Sequence, residues 1–454
     1  MEQRVLAGHI CRILKTAGYQ AYFVGGCVRD ILLEREPADY DVATDATPDG
    51  IRELFSESFV VLEVGAKFGV MLVGEPAESE DDPIVTVEVA TFRSDVGYSD
   101  GRHPDNVMFS KTAQEDVKRR DFTINALLMD PETKEVLDFV GGREDLSAGI
   151  IRAIGNPEER FTEDKLRLVR AVRFAARLDY AIEAKTFQAI QKLAPEIRQV
   201  SPERLRDELT KLLTEGAARR GFELLDETKL LPEILPEIAR MKGVEQPPQY
   251  HPEGDVWIHT LLMLQQLPAG SPPTLAWGVL LHDVGKPATF RPASQSGDRI
   301  RFDGHVEVGV RMAEEICRRL RFSNEDTAQI AALVANHMRF KDVLQMKPST
   351  LKRFARLDRF DEHLELHRLD CLSSHRMLNN YDFVQKFVRD TPAEQIRPVR
   401  LLTGDDLVAM GLQPGPSFRQ LLDSLEEAQL NDLIHTREEA VEFLKSLPVK
   451  NRAS

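Results

Sequence analysis

Apolar and polar positions repeat in two different ways along this chain. Residues 1 to about 20 place apolar side chains at helical spacing, and the next stretch, to about residue 147, mixes short β-branched runs with helical segments. From about residue 148 onward helical periodicity dominates. The pattern therefore predicts an α+β fold, in which a small mixed head precedes an all-α remainder.

Proline, glycine and polar stretches divide this pattern further. We predict a head, a helical neck, a helical body and a helical tail, at residues 1–147, 148–225, 226–380 and 381–454. The Pro- and Gly-rich segment KGVEQPPQYHPEGD, at 242–255, is the best candidate for a linker.

Two aspartates follow a Gly-Gly turn near the start of the chain. Asp39 and Asp41 are alternate residues of an extended segment, so their carboxylates would project to one face and repel each other unless a cation lies between them. Gly25 and Gly26 would let a phosphate approach the backbone at a helix N-terminus, where Arg29 adds a positive charge. The segment therefore predicts a site for a cation and a phosphate.

Carboxylates in this arrangement suit Mg²⁺, because proteins usually give this ion one or two carboxylates while phosphates and water complete its coordination. Glu88, in the run VTVEVATFR, could add a third carboxylate from a neighbouring strand. Such a site could bridge a triphosphate and activate an attacking hydroxyl. The aspartate pair alone would more often be an ordinary strand end, and the Gly-Gly pair alone an ordinary turn. Their combination in GGCVRDILLEREPADYDVAT favours a catalytic site.

Arginines recur on one side of the helix predicted within FTEDKLRLVRAVRFAARL. At about 100° per residue, Arg167, Arg170, Arg173 and Arg177 fall within an arc of about 120°. The whole chain has a net charge of −15, which is unusual for a protein that binds a phosphate backbone. Because the local field matters more than the total, we interpret this face as a concentrated basic surface, with an ordinary solvated face as the alternative.

Histidine and aspartate recur on successive predicted helices of the body. Neutral imidazoles and carboxylates suit Mn, Fe, Ni, Zn or Mg, so a metal site with room for two ions is predicted. A lone histidine is usually structural, but an adjacent His-Asp pair among several such residues favours ligands. His251, in YHPEGDVW, is assigned to a loop outside this site. The predicted ligands are His259, His282, Asp283, His305, His337 and Asp370.

Four segments resemble one known family in order. GGCVRDILLEREPADYDVAT resembles the catalytic signature of the DNA polymerase beta superfamily, in the form found in class II tRNA nucleotidyltransferases and bacterial poly(A) polymerases. KRRDFTINAL resembles the second head motif of that family, FTEDKLRLVRAVRFAARL its nucleotide-selecting neck helix, and SPERLRDELTKLL the segment that closes the neck. The histidine and aspartate set resembles the HD phosphohydrolase superfamily.

The resemblance implies a polymerase-beta-like head that adds C, C and A to the 3′ end of tRNA without a template, with CTP and ATP as substrates and Mg²⁺ as cofactor. It implies that Arg120 contacts the triphosphate, that Arg170 and Arg173 lie along the triphosphate and primer end, and that Asp164 and Arg167 imitate a base edge. The segment RSDVGYSDGRHPDN, predicted to be a loop, is similar to a mobile loop that such enzymes use when switching from C to A. The HD set implies a phosphohydrolase, for which a transition metal is a further candidate cofactor.

Other readings of the same residues stay open. They are an A-adding enzyme, a bacterial poly(A) polymerase, an HD phosphohydrolase with an inactive head, and an RNA-binding scaffold. VLEVGAKFGVMLV is closer to the G-x-x-x-G form of tRNA-adding enzymes than to the poly(A) polymerase signature, which favours tRNA. No apolar run approaches roughly 20 residues, the first residues lack signal-peptide features and the four cysteines form no framework, so we expect a cytoplasmic protein without a membrane partner.

Overall fold

The computed structural model describes residues 2–76, 84–96, 106–249, 251–297 and 299–447. The chain divides into two compact units, residues 1–239 and 240–454. Among the described residues, all named strands lie in the first unit and the second is helical. The predicted α+β class is therefore confirmed, while the four predicted domain boundaries stay predictions.

The first part of the first unit mixes helices and strands. Its elements are α1 (Gln3–Thr16), β1 (Ala21–Val24), α2 (Gly26–Leu32), β2 (Asp41–Thr44), α3 (Pro48–Phe55), β3 (Val60–Gly65), β4 (Val70–Gly74), β5 (Thr86–Thr91), β6 (Arg93–Val96), β7 (Asn106–Phe109), α4 (Ala113–Lys118), β8 (Leu128–Met129), β9 (Val136–Leu137) and α5 (Gly142–Ala148).

The rest of the first unit is largely helical. Its elements are β10 (Ile150–Ile151), α6 (Pro157–Glu163), α7 (Arg167–Leu178), β11 (Ala181–Ile182), α8 (Ala184–Leu193), α9 (Pro202–Thr214), α10 (Ala218–Glu227), α11 (Leu231–Ile234) and α12 (Pro236–Ala239). β10 and β11 pair in parallel, so the expectation of an all-α chain beyond residue 148 is wrong for these two short strands.

In the part of the chain that the structure describes, the main sheet has seven strands in the order β3-β4-β5-β2-β1-β8-β9. β2 and β5 are parallel, and the other neighbouring pairs are antiparallel. The register places Asp41 of β2 directly beside Glu88 of β5. Because Val87 and Val89 are fully buried, the alternation of a strand puts Glu88 on the opposite face. The sheet therefore brings two acidic side chains from different strands together.

Two predicted local structures differ from those observed. The helix predicted through FTEDKLRLVRAVRFAARL is broken, because Asp164 has an extended backbone between α6 and α7 and its Oδ1 accepts the N–H of Leu166 at 3.1 Å. The predicted loop 93–106 begins and ends in the paired strands β6 and β7, and residues 97–105 lie outside the described residues.

The second unit is built from helices that surround a histidine-rich centre, followed by a small helical tail. Its elements are α13 (Val256–Gln266), α14 (Pro273–Leu281), α15 (Lys286–Thr289), α16 (Ala293–Ser296), α17 (His305–Arg319), α18 (Asn324–Asn336), α19 (Pro348–Phe354), α20 (Phe360–Ser373), α21 (Asn379–Asp390), α22 (Ala393–Ile396), α23 (Gly404–Ala409), α24 (Pro416–Leu430) and α25 (Arg437–Ser446). None of the helices that the structure describes is long and apolar enough to cross a membrane.

The predicted linker at 242–255 is instead a folded turn of the second unit. The N–H of Gln246 donates to the carbonyl of Gly254 at 2.7 Å, and that of Val256 donates to Val244 at 3.0 Å. Asp255 then caps α13 by accepting the N–H of Trp257 at 2.7 Å. The linker prediction is wrong because the segment makes its own turn hydrogen bonds, which its Pro and Gly content did not reveal.

A half-buried hydrogen-bond cluster lies at the start of α5. Oδ1 of Asp138 accepts the backbone N–H groups of Val140, Gly141 and Gly142 at 2.9–3.0 Å, and its Oδ2 accepts that of Arg143 at 2.9 Å. Burial raises the pKa of this carboxyl, but the four N–H groups outweigh burial and lower it. The ionised side chain therefore stabilises the start of α5.

We expect Asp138→Ala to reduce the free energy of unfolding by about 0.5–2 kcal/mol at pH 7, because four N–H groups at the helix start lose their acceptor and water replaces it only for the exposed ones. Since the folded pKa is lowered, this contribution is present above the unfolded pKa of about 4 and is lost as pH falls through the folded pKa. Urea denaturation at pH 7 and pH 3 would measure this. A difference between wild type and variant that grows in acid would contradict it.

Candidate catalytic cluster and metal centre

The head carries a cluster of carboxylates on β2 and β5. Burial and the neighbouring charges of Glu88 and Asp39 raise the pKa of Asp41 to about 7, and Arg120 opposes this rise. Burial likewise raises the pKa of Glu88, again against Arg120. The structure therefore brings together the three acidic residues predicted from the sequence, at a point where negative charge exceeds positive charge.

These carboxylates do not form a closed cage. Among the described residues, the sets of three ligand atoms that all lie within 4.8 Å of one another are in the second unit. An open carboxylate cluster fits a Mg²⁺ ion that takes its remaining ligands from phosphates and water. The donor set of Asp39, Asp41 and Glu88, all oxygen, suits this hard cation.

Arg120 lies between the Gly-Gly turn and the carboxylates. Its Nε and Nη2 donate to Asp116 at 3.2 and 3.0 Å. A Cβ added to Gly25 would lie 3.5 Å from Nη1 of Arg120, and the backbone of Gly25 has a φ of 77° that favours glycine. A Cβ on residue 25 would therefore only touch the arginine, and the positive φ is what favours glycine at this turn.

Arg29 is placed differently from the expectation. Its side chain is 3% exposed, and its guanidinium donates to Asp30 at 2.8 and 3.0 Å and to Oδ1 of Asn125 at 2.7 Å. It also lies 5.4 Å from the ring centre of Phe174. Arg29 thus braces the interior of the head and offers no free charge to a phosphate in this structure, contrary to the sequence-based expectation.

The arginines of α7 are paired with carboxylates. Arg173 is 5% exposed and cannot be part of a basic surface, whereas Arg170 and Arg177 keep 31% and 33% of their side chains exposed. Four like charges are tolerated on neighbouring turns because acidic side chains from other parts of the first unit face them. The pairs are Arg167–Glu163 at 2.7 Å, Arg170–Asp121 at 2.8 Å, Arg173–Glu208 at 2.6 Å and Arg177–Glu215 at 3.8 Å.

The proposed base-selecting residues lie on either side of the break between α6 and α7. Oδ2 of Asp164 accepts from Nη2 of Arg204 at 2.7 Å. Arg167 donates to the carbonyls of Arg160 and Arg119 at 3.0 and 3.1 Å. Both side chains are therefore held by the protein. Arg204 was missed by sequence reasoning, although it lies in the quoted segment SPERLRDELTKLL.

Three histidines of the second unit are oriented in the same way. Each places Nδ1 against the carbonyl oxygen three residues earlier, so we assign the proton to Nδ1 and the lone pair to Nε2. The Nε2 atoms of these rings are buried and have no hydrogen-bond partner among the described residues. The Nδ1–oxygen pairs are His282–Val279 at 2.8 Å, His305–Phe302 at 2.9 Å and His337–Val334 at 2.7 Å.

These atoms converge into two ligand sets. One set is His259, His282 and Asp370, and the other is Asp283, His305 and His337; within each, the ligand atoms lie within 4.8 Å of one another. The adjacent residues His282 and Asp283 serve different sets. All six predicted residues are therefore brought together, with donor atoms for two divalent cations.

Burial lowers the pKa of His337 to about 4 and also lowers that of His305. Both rings are therefore neutral near pH 7, the form that can bind a metal. Burial alone would also lower the pKa of His259, but Asp370 and Glu253 outweigh it and raise the pKa to about 9.

Three further residues of the centre were missed. Oε1 of Glu253 lies 2.8 Å from Nδ1 of His251 and 2.7 Å from Nδ1 of His259. His251 lies in a loop, as predicted, but it adjoins the centre through Glu253. Nζ of Lys286 lies 2.7 Å from Asp283. The sequence features that could have indicated these residues are the run HPEGD directly before α13 and the lysine three residues after Asp283.

A cavity of about 760 Å³ opens beside the second ligand set. Its lining includes His305, His337 and Asp370 together with Phe302 and Lys341. This volume lies within the range of ordinary small-molecule sites, roughly 300–1,000 Å³.

Three family models match this chain. They are the poly A polymerase head domain at residues 21–152, the probable RNA- and SrmB-binding site of polymerase A at 179–242, and the HD domain at 256–362. Their order is the order of the resemblance found in the sequence. Segment by segment, the chain is therefore similar to a poly A polymerase head domain, an RNA-binding segment and an HD domain.

Curated CCA-adding enzymes match the chain over part of its length. A CCA-adding enzyme of Lactobacillus helveticus is 42% identical over 237 residues, 52% of this chain and 56% of that protein. One from Bacillus subtilis is 43% identical over 225 residues, 50% of this chain and 54% of that protein. The matches thus span about half the length of these curated relatives.

Solved structures of CCA-adding enzymes match over more of the chain. The Bacillus stearothermophilus CCA-adding enzyme in complex with CTP is 26% identical, with a TM-score of 0.67 and 98% of each chain covered. The Thermotoga maritima enzyme complexed with tRNA is 18% identical with a TM-score of 0.57, which shows the shared fold alone.

We expect Asp41→Asn to stabilise the metal-free protein at pH 8 by about 1–3 kcal/mol after allowance for solvent screening. The folded pKa of about 7 exceeds the unfolded value, so wild type loses stability as pH rises from about 4 through 7. The gain should therefore shrink toward pH 5, which thermal unfolding in a chelator would measure. A gain that is larger at pH 5 than at pH 8 would contradict the assignment.

Proposed function

We propose that this chain adds C, C and A to the 3′ end of tRNA in the cytoplasm, using CTP and ATP. The observation that carries the proposal is the pairing of Asp41 with Glu88 beside Arg120 and the Gly-Gly turn. The relatives named CCA-adding enzymes support CCA addition over A-only or poly(A) addition.

In this proposal Asp39 and Asp41 hold Mg²⁺, with Glu88 as a further carboxylate of the cluster. Bound there, the ion would activate the terminal 3′ hydroxyl and neutralise charge on the triphosphate. Arg120 binds the triphosphate from the side of Gly25 and Gly26. The tRNA hydroxyl then displaces pyrophosphate from the nucleotide.

We propose that Asp164 and Arg167 select the base. Asp164 offers a hydrogen-bond acceptor and Arg167 offers donors. Both side chains are held by neighbouring groups, so together they present a fixed hydrogen-bonding edge to the base. A base that leaves a buried donor or acceptor unpaired loses about 1–3 kcal/mol of binding. Arg170 is more accessible than Arg173 and is the better candidate to reach the triphosphate.

A second function is supported by the two ligand sets of the second unit. We propose that this centre binds divalent cations, among which transition metals suit its imidazoles, and hydrolyses a phosphoester. Metal ions of such a centre can generate a hydroxide nucleophile and polarise the ester. Lys341 and Phe302 in the adjoining cavity offer a positive charge and an aromatic surface to a substrate.

The proposal for the head is tested with tRNAs that end before C74, after C75 and after A76. CTP and ATP are offered separately and together with Mg²⁺. Stepwise addition of C, C and A is expected. Addition of A alone or of long A tails would replace the proposal by one of its alternatives, and no extension at all would reject it.

We expect Asp39→Ala to lower extension at least about 1000-fold, because the cation loses a ligand that supports several kcal/mol of transition-state stabilisation. His282→Ala should leave extension within about twofold, an effect below 0.5 kcal/mol on the barrier, and abolish hydrolysis of a phosphoester such as bis-p-nitrophenyl phosphate. Loss of both activities in either variant would contradict two independent sites.

A further inference from the structure

Glu253 is a buried carboxylate at the edge of the metal centre. It is outside the two ligand sets described above, but its carboxylate and the rings of His251 and His259 form a third group whose potential ligand atoms lie within 4.8 Å of one another. Its side chain is 6% exposed, and Oε1 lies between Nδ1 of His251 and Nδ1 of His259. Burying a charge is costly unless the group is paired. The two imidazoles are therefore the groups that make this burial tolerable.

His259 differs from the other histidines of the centre in its place on a helix. His282 and His337 directly follow the last residues of α14 and α18, where helix carbonyls lack an intrahelical partner. Their Nδ1 atoms use such carbonyls. His259 lies inside α13, where its N–H donates to the carbonyl of Asp255 at 2.9 Å.

The carbonyl three residues before His259 is already engaged. The oxygen of Val256 accepts the side-chain hydroxyl of Thr260 at 2.9 Å and lies within the helix ladder of α13. The contact between Nδ1 and the backbone carbonyl three residues earlier, which orients the other histidines, is therefore not available to His259. A side chain has to provide the acceptor, and Glu253 is the group that reaches Nδ1.

The turn before α13 fixes the carboxylate in this place. Gly254 has a φ of 87°, a conformation that favours glycine, and its N–H donates to the carbonyl of His251 at 3.0 Å. Nδ1 of His251 also contacts Oε1 of Glu253 at 2.8 Å. Glu253 is thus held from both sides before any ion binds.

We infer that Glu253 is a positioning residue that orients His259 through Nδ1, so that Nε2 faces the ligand set shared with His282 and Asp370. Nε2 of His259 lies 3.2 Å from Oδ1 of Asp370, as expected for two donor atoms of one cation. A carboxylate behind a histidine ligand fixes the ring and makes it a stronger ligand. The inference rests on the proposed metal centre.

The test is metal binding by the full-length protein, with Mn²⁺ and Zn²⁺ as probes. Metal content is measured by elemental analysis and dissociation constants by chelator competition. We expect Glu253→Ala to lower the affinity for one of the two ions by about 10- to 100-fold. The affinity for the other ion, held by the set that contains Asp283, should stay within about threefold of the wild-type value. Glu253→Gln keeps an acceptor oxygen and should lose less than Glu253→Ala.

Glu362→Gln is the matched control. Glu362 is also a buried carboxylate of the second unit, 8% exposed, and it accepts from Thr274 at 2.7 Å and from Gln329 at 3.3 Å. Its substitution should change stability without changing metal affinity. Thermal unfolding of each variant separates loss of the fold from loss of the ligand geometry.

The outcomes separate this inference from the proposal on which it rests. If wild type binds neither probe ion, the metal centre itself is rejected. If wild type binds two ions and Glu253→Ala binds both with unchanged affinity, only the role of Glu253 is overturned. Equal weakening in Glu253→Ala and Glu362→Gln would likewise overturn it, because a general structural effect would then explain the loss.

Discussion

The parallel pairing of β2 with β5 holds Asp41 beside Glu88, and the rest of the head depends on that juxtaposition. Burial of Asp41, the largest cause, and repulsion by the neighbouring carboxylates of Glu88 and Asp39 together raise its pKa to about 7. Arg120 offsets only part of this rise. A bound cation would offset the repulsion between the carboxylates. The residues that locally destabilise the fold are therefore the same residues that are proposed to act in the reaction.

The second unit meets the same constraint with different atoms. There the unpaired groups are imidazole Nε2 atoms, turned inward because their Nδ1 atoms are engaged. Buried polar atoms without partners are rare in folded proteins, so a convergent group of them is itself evidence for a ligand. Oxygen donors in the head and mixed nitrogen and oxygen donors in the second unit would favour different ions, which fits two separate chemistries on one chain.

The arginines of α7 form ion pairs that stabilise the first unit before any RNA binds. The arginines of α7 each face a carboxylate, and the net charge of −15 is compatible with these pairs because the acidic partners come from several elements of the first unit. Arg204, which holds Asp164, belongs to the same network. The ion pairs therefore keep the proposed base-selecting residues in fixed positions, so that recognition does not have to order them when a nucleotide binds.

The sequence by itself determined the α+β class, the order of the motifs and the six potential metal ligands that the second unit brings together. The hydrophobic periods of strands and helices depend only on residues that are close in the sequence. The same holds for a short motif such as HD or DxD, whose residue types indicate a metal ligand without knowledge of the fold. Only the tertiary structure decided that Arg173 is buried against Glu208, 35 residues away, that Arg29 faces the interior, and that the supposed linker brings Glu253 to His259. A helical wheel shows which side a charge is on but not what packs against that side, because the partner is set by contacts between elements distant along the chain.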